Sequence, residues 1–233
     1  MSRLADIKEF YLLLDELSKL WSGTRRLNDC TGRDDWPLRG VYFFFEDGEY
    51  RGESGGGLRI TRIGTHAVYR DSNSSLWNRL RQHRGTRDRG GNHRGSVFRL
   101  WVGDALSQKH PDLRLDSWLD VHAPRSRVKG PEHSLECKVS DYIGKMPFVC
   151  VDVDDMAGME SMRAYIERNS IALLSNLRKN IPVDPASTEW LGAHSSSLEI
   201  KRSGLWNSHY VDKDYDRGFL QVLEHYVRRI CKR

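Results

Sequence analysis

Arg79 and His83 stand four residues apart in LWNRLRQH, so a helix over Leu76 to His83 would put a guanidinium and an imidazole one turn apart on one face. Leu76 and Leu80 recur at the same spacing, and the two basic side chains therefore flank an apolar stripe at the edge of a core. Two cationic side chains would thus share a face that is not plainly the solvated one. The plain alternative is an amphipathic helix with a basic rim. From Arg79 to Arg99 seven arginines face a single acid, Asp88, in a stretch interrupted by Gly85, Gly90, Gly91 and Gly95. Such a segment suits a loop that follows a phosphate backbone, with Arg81, Arg84, Arg87, Arg89 and Arg94 as candidate nucleic-acid contacts. Its alternative is a solvated surface loop.

The elements that must carry these residues belong to a chain of 233 residues with net charge +5, so the Arg79–Arg99 segment leaves the rest near neutrality. A hydrophobic fraction of 38% and a charged fraction of 30% describe a polar-surfaced protein able to bury a sizeable core. No run approaches the roughly 18 apolar residues of a membrane span, and the N-terminus lacks a secretory h-region. Cys30, Cys137, Cys150 and Cys231 are widely spaced and form no CxxC pair, which supports neither a disulfide framework nor a zinc site. A reducing, cytoplasmic setting is the expectation.

Residues 3–21 place Ile7, Phe10, Leu13, Leu14, Leu17, Leu20 and Trp21 on one helical face, and residues 22–39 read as a connection. GVYFFFE, Gly40 to Glu46, is a strand by its β-branched and aromatic density. After a glycine-rich, flexible loop, LRITRIG gives a second strand that completes a hairpin. The helix near residues 75–84 follows, capped by Ser74 or Ser75. Residues 96–106 are apolar enough to be buried as either helix or strand. Residues 107–131 read as a polar insertion, 132–144 as a helix ending at Gly144, 147–155 as a buried strand, and 158–177 as a helix. In that last helix Met159, Met162, Ile166, Leu173 and Leu177 form the apolar stripe, with Glu167 on its flank. A short strand before the turn at Asn207 and an amphipathic helix over 214–231 complete the chain. The order predicts an α+β domain on a small central sheet flanked by helices, with N- and C-terminal helical additions.

Taken together, a strand GVY, a second strand ending RIG, a helix with Arg-x3-His, a later strand followed by a helix bearing YIERN, and a terminal LWN resemble the GIY-YIG nuclease family, closest to its restriction-endonuclease-like branch. The resemblance covers roughly residues 38–209. It implies an N-terminal helix and linker over 1–36 and a nuclease-like domain over 37–233, with an insertion at about 104–131. It also implies that Tyr42 accepts a proton or orients water beside the scissile phosphate, that Arg79 steadies the phosphate charge, and that His83 bonds the phosphate or shuttles protons. Glu167 resembles the family's metal-binding glutamate, and Asn207 the late asparagine that orients site groups. Glu136 is a rival for the metal role, set second because Glu167 follows a strand.

In one place the sequence departs from the family's pattern. Arg62 stands where the second motif has its tyrosine, which puts a two-tyrosine mechanism in doubt; Arg62 itself or His66 is the substitute polar group. Enzymes lower such barriers by roughly 8 to 23 kcal/mol, whereas one positioned donor supplies about 2.7 to 4. Arg79 and His83 alone fall short, so a Mg²⁺ (or Mn²⁺) ion on Glu167 is expected. The leading expectation is a Mg²⁺-dependent endonuclease acting on DNA, with RNA left open as a substrate. The rivals are a non-catalytic nucleic-acid-binding module of the same fold and a globular domain whose basic loop binds an acidic protein.

Overall fold

The computed structural model of the chain describes residues 2–20, 23–68, 72, 74–120 and 122–230, with the side chains of all but Leu20 and Arg125. Trp21 and Cys231 therefore lie outside the described residues. Among these, seven α-helices surround one four-stranded antiparallel sheet, in the strand order β1-β4-β2-β3. The strands are β1 (Arg25–Arg26), β2 (Gly40–Tyr50), β3 (Leu58–Gly64) and β4 (Pro147–Asp152). This is the α+β class that the element order predicts.

β2 is buried along GVYFFFE because both faces of the sheet are covered, and its alternating side chains feed two cores. Val41 and Phe43 join Ile63, Val149 and Val151 against α1 (Arg3–Leu20), α5 (Met162–Leu174) and α7 (Phe219–Ile230). Tyr42 and Phe44 join Phe148 and Cys150 against α2 (Leu76–Arg84), α3 (Val97–Lys109) and α4 (Arg125–Gly144). Each large apolar side chain buried in these layers stabilises the fold by roughly 1.5 to 3 kcal/mol. α1 packs on the sheet through Ile7, Phe10, Leu14 and Leu17, as its apolar face requires.

The helices around the site start and stop on local signals. Ser75 caps α2 by accepting from Asn78 N–H at 3.2 Å, and Gly85, at φ +91°, ends it. Ser96 resolves the ambiguous 96–106 segment as α3 by accepting from Arg99 N–H at 3.3 Å. Ser161 caps α5 in the same way, so that helix starts at Met162. Met159 and Met162 are exposed instead of forming the apolar stripe, which falls to Ile166 and Leu173.

Three further expectations are corrected. The helix expected from residue 132 begins at Arg125; Pro131, in its second turn, forfeits one main-chain hydrogen bond, but Val128, Leu135 and Val139 share a buried face across it. The short strand expected before Asn207 is instead α6 (Leu198–Ser203), capped by the Ser197 hydroxyl and closed by Gly204 at φ +75°. The glycine-rich loop after β2 is pinned, because Asp184 Oδ1 accepts from the N–H groups of Gly52, Glu53 and Ser54 at 2.8, 2.9 and 3.2 Å.

Candidate phosphate cleft

β2 and β3 bring Tyr42 opposite Gly64 in antiparallel register. A Cβ at Gly64 would lie 2.2 Å from the Tyr42 hydroxyl oxygen, so only glycine leaves room for that ring beneath the strand. The tyrosine oxygen lies 2.8 Å from His83 Nε2 on α2, and His83 Nδ1 lies 2.9 Å from Ser96 Oγ at the start of α3. Arg99 donates to the His83 carbonyl at 2.7 Å and fixes the end of that helix. Tyr42 and His83 are both 0% exposed. Burial, followed by the fields of Arg79, Arg62 and Arg99, holds the imidazole well below its usual range, so the ring is neutral near pH 7.

Beside this sealed pair a cleft of about 420 Å³ opens at the β3 edge of the sheet. Arg62, Arg79, Glu167 and Asn207 line it, with Thr65 between the strand and α5. Glu167 Oε1 accepts from Thr65 N–H at 3.1 Å, and the Thr65 hydroxyl donates to the Gly40 carbonyl at 2.8 Å. These bonds tie α5 to the end of β3 and the start of β2. Burial pushes the half-buried Glu167 carboxyl up; Arg62, the Thr65 amide, Arg79 and Arg163 pull it back. Asn207 clamps the edge strand, accepting from Ile63 N–H at 3.1 Å and donating to the Ile63 carbonyl at 2.9 Å. Both ends of its amide are occupied, which makes it a brace for β3.

Arg62 is 7% exposed and donates through Nη1 to the Trp206 carbonyl at 2.9 Å, while its Nε–H has no partner. Arg79 donates to Gln82 and to the Gly95 carbonyl at 2.9 and 3.1 Å. Among the described residues neither guanidinium has a carboxylate within ion-pair distance. His66 lies outside the cleft lining: its Nε2 is 3.3 Å from the Leu38 carbonyl, and burial, with Arg163 nearby, pushes it down to about 4.

The fit for a metal rests on Glu167 Oε2, which faces no hydrogen-bond donor among the described residues. No group of three or more His, Cys, Asp or Glu side chains able to hold a metal occurs among them either. One open carboxylate in a roomy cleft fits a hydrated hard cation that takes its other oxygens from water and phosphate. Glu136, the rival, is committed elsewhere: Arg99 pairs with it, and His93 Nδ1 lies 2.9 Å from its Oε1.

The arginine-rich segment divides. Arg81 and Arg87 are exposed. Arg94 pairs with Glu132 at 2.6 Å, Arg89 pairs with Asp141, and Arg84 donates to the Cys30 carbonyl and lies over the Trp77 ring. Three site residues escaped the sequence reading. Ser96 holds His83, Thr65 holds Glu167, and the fully buried Arg163 pairs with Asp155 and donates to the His66 carbonyl at 2.6 Å. Arg163 stands one turn before Glu167, and Thr65 directly follows Gly64; adjacency to those two positions was the available signal.

Compared with known protein families, the chain matches the GIY-YIG domain over residues 1–233. No curated protein and no solved structure matches it.

Proposed function

Because the chain belongs to the GIY-YIG domain family, whose fold is of the nuclease type, we propose that it is a divalent-metal-dependent endonuclease that hydrolyses phosphodiester bonds of DNA. The observation that carries this reading is the shared cleft of Arg79, Arg62 and Glu167: two cations for a phosphate and one open carboxylate for a metal. No helix of the described residues is long and apolar enough to cross a membrane.

Arg79 neutralises charge on the scissile group as the phosphorus becomes five-coordinate. Glu167 would hold the cation, Mg²⁺ or Mn²⁺, which when bound would supply Lewis-acid stabilisation of charge on the phosphate. Tyr42 and His83, expected as proton acceptor and shuttle, are sealed behind the cleft wall and do not line it, so there the Tyr42–His83–Ser96 chain braces the helix that presents Arg79. The proton leaving the attacking water passes to solvent in the open cleft, and the departing oxygen takes one up from it. Asn207 keeps β3, and with it Arg62 and Thr65, in place. Arg81 and Arg87 extend the contact along the nucleic-acid backbone, with Arg84, Arg89 and Arg94 stiffening the loop that carries them.

Plasmid nicking by the purified chain with Mg²⁺, compared with Glu167→Gln, tests the reading. A binding module without chemistry would bind DNA and leave it uncut under every metal condition.

A further inference from the structure

We propose that Arg62 and Arg79 together form a seat for one phosphodiester group that holds nucleic acid in the cleft before, and without, a divalent cation. The proposal rests on the nuclease reading only for the identity of the anion. Arg62 replaces the neutral tyrosine of the second motif by a permanent cation, which is buried to all but 7% of its surface. A buried guanidinium is ordinarily neutralised by a carboxylate, as Arg59 is by Glu49, Arg99 by Glu136 and Arg163 by Asp155 in this chain. Arg62 has no such partner among the described residues: its Nε–H is enclosed and unsatisfied, and its Nη2, which is not enclosed, makes no hydrogen bond there. Its head is nevertheless fixed, with Nη1 on the Trp206 carbonyl and the guanidinium carbon 5.5 Å from the centre of the Phe98 ring.

A fixed guanidinium on a cleft wall whose accessible Nη2 is unpartnered is a site prepared for an anion. Arg62 and Arg79 against Glu167 leave the lining with one net positive charge, which matches the single negative charge of a phosphodiester. A guanidinium does not deprotonate near neutral pH, so Arg62 binds the substrate and accepts no proton. The metal then serves the chemical step and is dispensable for capture.

The test is binding of a short DNA duplex in EDTA across a range of NaCl, by fluorescence anisotropy, for the wild-type chain, Arg62→Lys, Arg62→Met and Arg62→Tyr, each with its melting temperature. The expected result is tight wild-type binding in EDTA. Arg62→Met and Arg62→Tyr should lose about tenfold in affinity, with the log–log salt slope shallower by about 0.9, and Arg62→Lys should keep the slope. Wild-type affinity and slope in folded Arg62→Met or Arg62→Tyr would overturn the proposal, as would wild-type binding that appears only with Mg²⁺. Should those variants fail to fold, inorganic phosphate titrated into the wild-type chain in EDTA decides. A rise in melting temperature that Arg62→Lys retains supports the seat, and no rise overturns it. Binding in EDTA with no cleavage under any metal would sink the nuclease reading and leave this seat standing; cleavage without binding in EDTA would do the reverse.

Discussion

The Tyr42 hydroxyl lies 2.8 Å from His83 Nε2, directly beneath Gly64, so the tyrosine of GVY, the glycine of RIG and the helix histidine make one packed unit. Gly64→Ala should push a methyl into the hydroxyl. Overpacking of this kind costs about 1 to 3 kcal/mol, read by urea denaturation. Because the clash is with the hydroxyl and the ring behind it, Tyr42→Phe should relieve only part of it. The double mutant should be more stable than the sum of the two single losses, and strict additivity would show that the two residues do not touch.

Acid should destabilise the protein through its buried histidines. His83 is held well below 6.5 and His66 is pushed down to about 4, so below pH 6.5 the unfolded chain binds protons that the folded chain refuses. Stability is then full above pH 6.5 and falls as pH drops, by about 1.4 kcal/mol per pH unit for each histidine. Loss of His66's share ends near pH 4. Chemical denaturation from pH 8 to 5 should show this slope, and His83→Gln should reduce it by one proton; an unchanged slope would mean that His83 titrates normally in the fold.

Asn207 should behave as a positioning residue. Asn207→Ala leaves the Ile63 N–H and carbonyl without their side-chain partner at the sheet edge, at a cost of about 1 to 3 kcal/mol. Turnover should fall while DNA affinity, measured by anisotropy in EDTA, changes little. An affinity loss as large as the loss in turnover would instead place Asn207 on the substrate.

The arginines of the 79–99 segment should separate by phenotype. Arg81→Ala and Arg87→Ala should each weaken DNA binding and make the salt slope shallower by about 0.9. Arg94→Ala should instead lower stability by roughly 3 kcal/mol, because it leaves the buried Glu132 without its cation and with the Ser117 hydroxyl as its remaining side-chain partner among the described residues. Arg89→Ala, in an exposed pair with Asp141 that solvent screens, should leave the melting temperature close to wild type. Parallel melts and salt titrations distinguish these outcomes; equal slope changes for all four would show that the ion pairs open on binding.

Much of this was legible in the sequence because it is written locally. The density of GVYFFFE, the serine caps and the recurrence of leucines in α2 each act over a few residues, and the order of elements followed from them. The seven arginines of the basic segment could be counted, but not their partners. Glu132 lies 38 residues from Arg94 and Asp141 lies 52 from Arg89, on a helix whose N-terminal half was hidden by Pro131. The departure at Arg62 was visible as a letter, whereas its lack of a carboxylate is a property of the packed cleft. Tyr42 was visible as a motif residue, but only the sheet register seals it against His83 instead of lining the opening.

Whether Glu167 supplies the metal-dependent chemistry of this cleft is tested most directly by supercoiled plasmid incubated with the purified chain. With Mg²⁺ or Mn²⁺ the wild-type chain should nick or linearise the plasmid, and EDTA should stop it. Glu167→Gln should leave the DNA intact while binding it. Since burial disfavours the ionised carboxyl, that variant should melt no lower than wild type at pH 8. Cleavage by Glu167→Gln at the wild-type rate, or intact plasmid with the folded wild-type chain in both metals, would contradict the account.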